Sequence, residues 1–164
     1  EVSNSVFYAN SNKGHDGFLG NSVIGEWCNL GADTNSSNLK NNYATVKLWN
    51  YTKKRFITTD LQFCGLIMGD HSKCGINTMF NTGTVVGVSA NIFGAAFPRN
   101  FIPSFTWGGA SGFATYAVPK ALETARIVMA RRNKELNEQE QHILETIYNL
   151  SADARFWENK PLQT

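Results

Sequence analysis

The stretch G-L-I-M-G-D-H-S-K-C-G-I-N-T-M-F-N-T-G-T-V-V-G-V-S-A-N-I-F, Gly65 to Phe93, carries a repeat of six. Met68, Cys74, Phe80, Val86 and Ile92 stand six residues apart, and upstream Phe18, Ile24 and Leu30 keep the same spacing. Glycine follows five of these eight positions, as Gly25, Gly31, Gly69, Gly75 and Gly87. Two places before them stand Ser22, Cys28, Ser72, Thr78, Thr84 and Ala90, all small. Val6 lies two steps ahead of Phe18. A period of six is neither the 3.6 of a helix nor the 2 of a half-buried strand. It fits a parallel β-solenoid in which each hexad makes one short strand and one corner. The large residue fills the interior and the small one lets the turning chain pass. Glycine or asparagine takes the corner angles, positive φ included. A β-sandwich would punctuate its strands every ~8–12 residues instead.

The register breaks once. Leu30 to Met68 is not a whole number of hexads, and residues 36–62 are expected as an inserted loop. Within it Ala44–Trp49 alternates, Asn50–Arg55 reads as a polar turn, and Phe56–Thr59 can pair back as a hairpin arm. A loop this long in a compact solenoid is more often functional than idle. After Ile92 the repeat decays into Pro98, Pro103 and the run F-T-W-G-G-A-S-G-F at Phe105–Phe113, expected to cap the open coil. The domain expectation is a solenoid over 1–112 and a helical extension over 113–164. Pro119 suits a first helical residue, with Leu122, Ala125 and Val128/Met129 on one face. Asn137 and Glu140 read as a capping pair before a second helix with face Ile143, Leu144, Ile147 and Tyr148.

Composition agrees with this partition and removes several classes. All fourteen glycines lie between Gly14 and Gly112, while residues 113–164 carry a disproportionate share of the charge. No apolar run reaches the ~18–20 residues of a membrane helix, and no signal peptide is read. Net charge is +2 without a basic block, so no nucleic-acid partner is expected. Cys28, Cys64 and Cys74 form an odd set without a C-x-x-C pair, which fits a reducing, cytoplasmic setting. Cys28 and Cys74 fall on inward positions of the repeat. The first residue is Glu1, and the chain reads as a piece of a longer polypeptide. His15, His71 and His142 lack close ligand spacing, so no metal is expected. His71, at a corner, reads as a solvated or hydrogen-bonded turn residue.

The segment S-N-K-G-H-D-G-F-L-G-N-S-V-I-G-E-W-C-N-L-G-A-D-T, Ser11 to Thr34, resembles the C-terminal left-handed β-helix domain of GlmU-type proteins. These are bifunctional sugar-1-phosphate nucleotidyltransferase/acetyltransferases. The resemblance continues through Asn38 and the hexads to Ile92, about two-thirds of the chain. The loop looks closest to archaeal-type members, and the whole chain is similar to a GlmU-like group of Bacteroidetes. The implied fold is a left-handed parallel β-helix with an inserted hairpin and a helical tail. The implied activity is transfer of acetyl from acetyl-CoA to an amino-sugar phosphate, such as glucosamine 1-phosphate, in a homotrimer with sites between neighbouring solenoids.

Position by position, the resemblance makes His15 the general base that takes a proton from the sugar amine. An imidazole, with an ordinary pKa near about 6.5, suits that task at neutral pH. Asn29 matches an asparagine near the acetyl group, and the Ala32 backbone a donor to the developing oxyanion. Asn38 matches a sugar-binding asparagine. Lys47 matches a loop lysine that neutralises the sugar phosphate, with Lys40 as a second candidate. CoA would lie along the downstream coils near Ile76 and Gly94. Phe18 stands where many members have a tyrosine that touches the phosphate, Ala44 stands at another expected lysine, and Asp16-Gly17 replaces the usual residues after the histidine. These departures put the sugar in question and keep a second expectation open: a non-catalytic β-helix that trimerises or regulates a nucleotidyltransferase.

Overall fold

In the computed structural model, which describes residues 1–158, two-residue strands stack into three parallel sheets, the faces of a prism. The first face holds Val2–Ser3, Leu19–Gly20, Asn35–Ser36 and Met79–Phe80. The second stacks Val6–Phe7, Val23–Ile24, Ile67–Met68, Val85–Val86 and Phe101–Ile102. The third stacks Asn12–Lys13, Asn29–Leu30, Lys73–Cys74, Asn91–Ile92 and Thr106–Gly109. Gly112–Thr115 closes the third face antiparallel to its neighbour, so the glycine–aromatic run is a hairpin at the solenoid's end. The expected β-helix, with inserted hairpin and helical tail, is the observed fold.

The interior follows the hexads. Ile24, Met68, Val86 and Ile102 line it from the second face, Leu30, Cys74 and Ile92 from the third, and Leu19 and Phe80 from the first. Burying each large aliphatic or aromatic side chain contributes about 1.5–3 kcal/mol. Phe18 is a correction: Leu19, fully buried, fills the interior at that level instead. Leu19 and Ile24 are the successive interior residues there, so the step between first and second faces loses one residue. Val6 therefore pairs with Val23, and Phe7 rather than Val6 packs on the core.

Glycine's role at the corners is a second correction. The left-handed angles fall three places after the interior residue, on Trp27, Asp33, His71, Asn77 and Ser89, with φ between 53° and 59°. The glycine directly after the interior residue serves close stacking. A Cβ on Gly31 would lie 2.5 Å from the carbonyl carbon of Gly75 in the next coil. Coils stacked at the ~4.8 Å strand spacing leave no room for it.

The insertion leaves at Asn38, whose carbonyl accepts the Cys64 N–H at 2.9 Å, and Leu39 bridges Phe63. Its hairpin pairs Lys47–Asn50 with Arg55–Thr58. Val46 is fully buried against Gly83, and Trp49 stacks on Phe101 with centroids 4.1 Å apart. In the tail, α1 spans Val118–Ala130 and buries Ala121, Leu122, Ala125 and Met129. The second helix, α2, spans Glu138–Leu150 and opens on the expected Asn137–Glu140 capping box. Leu144, Ile147 and Tyr148 pack around Phe105, whereas Ile143 is exposed. Its side chain lies about 100° around the helix from Leu144, outside the covered arc. Among the described residues no helix is long and apolar enough to cross a membrane.

Candidate functional site

His15 sits on the edge where the third face passes to the first. On the next two coils this edge turns through one left-handed residue each, Asp33 and Asn77; here His15, Asp16 and Gly17 adopt φ of 49°, 50° and 76° in succession. Such angles cost about 1–3 kcal/mol for a residue other than glycine and collect at functional sites. The next coil fastens both flanks of the bend. Asp33 donates its N–H to the His15 carbonyl at 2.9 Å, and Asn35 Oδ1 accepts the Phe18 N–H at 2.9 Å. Lys13 Nζ donates to the Asp16 carbonyl. A Cβ on Gly17 would fall 2.3 Å from the Thr34 carbonyl oxygen, so only glycine fits there. The backbone is fixed and the imidazole is left exposed.

The same edge continues through Ala32. The Ala32 carbonyl accepts the Asn77 N–H at 2.8 Å, and among the described residues its own N–H has no acceptor. Ile76, beside Asn77, is 70% exposed. The next coil brings Phe93, ahead of Gly94, against Gly75. His15, Ala32, Ile76 and Gly94 thus occupy one edge on successive coils. Asn29 lies on the strand that feeds this edge, on the outer side of the third face, where Asn12 Nδ2 donates to its Oδ1 at 2.8 Å.

Phe18 and Asn38 meet on the first face: a Cβ on Gly20 would lie 2.5 Å from Phe18 Cζ and 2.7 Å from Asn38 Nδ2. Asn38 Nδ2 donates to Asn21 Oδ1 at 2.8 Å. Lys47 is not brought to His15 within one chain, and Lys40 is held within the insertion. Lys40 donates its ammonium to the Thr45 carbonyl at 3.1 Å. The Lys47 backbone abuts Gly83, on the edge between the first and second faces, and its hairpin leans toward Phe101.

All three cysteines are buried and free, and burial pushes the Cys28 thiol up to about 11. A nucleophilic thiolate needs the opposite shift. His71 corrects the reading of a solvated turn residue. The helices cover its edge, its ring stacks on Trp27 at 6.3 Å and 14°, and its buried Nδ1 has no partner among the described residues. Burial, aided by the Lys73 charge, holds its pKa at about 4. Sequence reasoning also missed a cleft of about 650 Å³ between the third face and the end of α1. Asn12, Trp27, Asn29, Lys73, Arg131 and Arg132 line it. The adjacent arginines closing an amphipathic segment were its only sequence signal.

A six-residue β-solenoid with a strained, exposed histidine corner and an inserted basic hairpin defines a class of hexapeptide-repeat protein. The chain is 38% identical over 87 residues to the bifunctional protein GlmU of Methanocaldococcus jannaschii, covering 53% of this chain and 21% of that protein. It is 35% identical over 96 residues to a bifunctional sugar-1-phosphate nucleotidylyltransferase/acetyltransferase of Sulfurisphaera tokodaii, covering 58% of this chain and 23% of that protein. The GlmU of Methanococcus aeolicus is 32% identical over 87 residues, 53% of this chain and 20% of its own length. The resemblance read from Ser11–Thr34 is borne out by these relatives. The chain spans about a fifth of the length of the curated relatives it matches. No family model matches the chain.

Proposed function

We propose that this chain is an acetyltransferase domain, moving acetyl from acetyl-CoA to the amine of an amino-sugar phosphate, within a longer sugar-1-phosphate nucleotidyltransferase. The observation that carries the reading is the His15 bend stacked directly over Ala32 and Asp33 on one edge. His15 takes the amine proton as the nitrogen attacks the thioester carbonyl, and the Ala32 N–H donates to the oxyanion that develops. The thiolate of CoA then leaves as the amide forms. Asn29 flanks the acetyl group, while Asn38 and Phe18 hold the sugar. CoA extends along the edge past Ile76 and Gly94.

The phosphate needs fixed positive charge, and Lys47 stands on another edge of the same chain. A homotrimer meets this need by setting the hairpin of one solenoid against the His15 edge of the next, with Lys40 and Lys47 facing the phosphate. The exposed, outward-facing Val6 and Val23 supply an apolar surface for such packing. The localisation that goes with this chemistry is cytoplasmic.

The test is acetyl-CoA turnover against a panel of amino-sugar phosphates. His15→Ala is expected to lower kcat by roughly 10²–10⁴-fold with little change in KM for acetyl-CoA. An undiminished rate in His15→Ala, or no turnover with any amine, overturns the mechanism. Phe18 and Ala44, in place of tyrosine and lysine, favour the second reading, a trimerising or regulatory β-helix, which the inactive outcome would support.

A further inference from the structure

We propose that the cleft between the third face and the end of α1 binds a diphosphate-bearing anion through Lys73, Arg131 and Arg132. The proposal stands whether or not the chain transfers acetyl groups. Three cations line one cleft of about 650 Å³, within the size range of small-molecule sites, and among the described residues no acidic one lines it. Among the described residues none of the three has an ion-pair partner; the ion pairs are Lys54–Asp153 and Arg155–Glu158. Lys73 projects from the outer side of the third face, where Asn29 precedes it and Asn91 follows it in register. One of its ammonium hydrogens goes to the His71 carbonyl at 2.9 Å, which aims the group and leaves two donors.

Desolvation lowers the Lys73 pKa, against a smaller opposing pull from Cys28. The two carboxylates that act on neighbouring His71 accept hydrogen bonds from other groups. Asp70 Oδ1 accepts the Glu26 N–H at 2.7 Å, and Glu140 closes the capping box of α2. Arg131 and Arg132 follow the last turn of α1, whose carbonyl end carries roughly −0.5 of a charge. Two guanidinium charges outweigh it. Their planar forks suit bidentate contacts to phosphate oxygens, which a point charge such as Lys73 complements.

The floor of the cleft adds selectivity. Asn12 and Asn29 are joined by one hydrogen bond, which leaves amide capacity for further oxygens. Trp27, 7% exposed, and Val128 form an apolar wall. Three positive charges with amide donors match the charge and oxygen count of a diphosphate better than a single carboxylate.

Isothermal titration calorimetry of the full chain with sodium pyrophosphate, ADP, CoA and glucosamine 1-phosphate separates the sources of that group. The expected result is saturable pyrophosphate and ADP binding that weakens with added salt. Arg131→Ala with Arg132→Ala is expected to weaken it tenfold or more, as for loss of charge-assisted hydrogen bonds. Lys120→Ala, at the far end of the same helix, should bind as wild type, and so should His15→Ala. Tighter binding of CoA than of ADP, weakened in the double arginine variant, would assign the diphosphate to the acetyl donor. Equal binding would assign it to a nucleotide. Absence of saturable binding by pyrophosphate, ADP and CoA alike, or unchanged affinity in the double arginine variant, overturns the proposal. Because both arginines are exposed, their replacement should leave thermal unfolding unchanged, which keeps the result readable. Loss of acetyl transfer with binding intact would sink the proposed function and leave this site standing.

Discussion

His71 is held neutral by its surroundings. Its ring is packed on Trp27 under the helices, and burial with the neighbouring Lys73 charge depresses its pKa from 6.5 to about 4, against opposing pulls from Asp70 and Glu140. Between these two values the unfolded chain binds the proton and the folded chain does not, so stability rises with pH there. His71 therefore contributes a loss of stability as pH falls from about 6.5 to about 4. Urea unfolding across that range should show a shallower pH dependence for His71→Asn than for wild type. Asparagine tolerates the left-handed φ of 59° at this corner, so the variant keeps the backbone. Identical slopes would refute the assignment. The residue's identity was plain in the sequence, but its burial was not. A hexad count places His71 at a corner, and corners are usually wet; only the helices folding back over that edge make it dry.

At the scale of elements, stacking decides what each corner tolerates. Gly31→Ala would drive a methyl to 2.5 Å from the Gly75 carbonyl carbon and 2.6 Å from the Ile76 nitrogen, both backbone atoms that cannot swing away. The third-face strands Asn29–Leu30 and Lys73–Cys74 must then part. We expect a loss of about 2–4 kcal/mol in chemical denaturation, in the range of overpacking and lost strand pairing. Gly75→Ala is the contrast, because its nearest neighbour lies 3.7 Å away, and it should be nearly neutral. The repeat made both glycines equally visible in the sequence; only the observed coil spacing separates them. The inserted hairpin was legible for a different reason. Its alternation at Ala44–Trp49 survives as the paired arm Lys47–Asn50. What the sequence did not reveal was direction: Trp49 stacking on Phe101, 52 residues further along the chain and beyond the hexads Met68–Ile92, carries Lys47 away from His15. The shift from Phe18 to Leu19 has the same origin. A one-residue deletion at the first edge leaves the apolar pattern intact while moving the register, because Phe18 and Leu19 are both apolar.

The whole molecule exposes a graded surface. On the second face the outward row in register is Val6, Val23, Ile67, Val85 and Phe101. The third face instead presents Asn12, Asn29, Lys73 and Asn91 before reaching Trp107. The hairpin meets the upper part of the apolar row at Phe101, and Val85 is 5% exposed. The lower part stays open, with Val6 54% and Val23 37% exposed. Isolated exposed valines need no explanation, but a row of them along a flat parallel face is a surface suited to burial. On the proposed trimeric reading this lower row packs against a neighbouring solenoid and brings its hairpin lysines to the His15 edge. Sedimentation equilibrium of the chain should then give a trimer. Val6→Glu with Val23→Glu should dissociate it, since each outward carboxylate would be desolvated in the interface and repel its counterparts. The substitutions touch no interior position, so circular dichroism of the dissociated protein should match wild type. Loss of acetyl transfer on dissociation, with His15 untouched, is the further expected outcome, because the phosphate's cations would leave with the neighbouring chain. A wild-type chain that sediments as a monomer yet transfers acetyl would require the loop lysines to reach His15 within one solenoid, against the hairpin's observed lean toward Phe101.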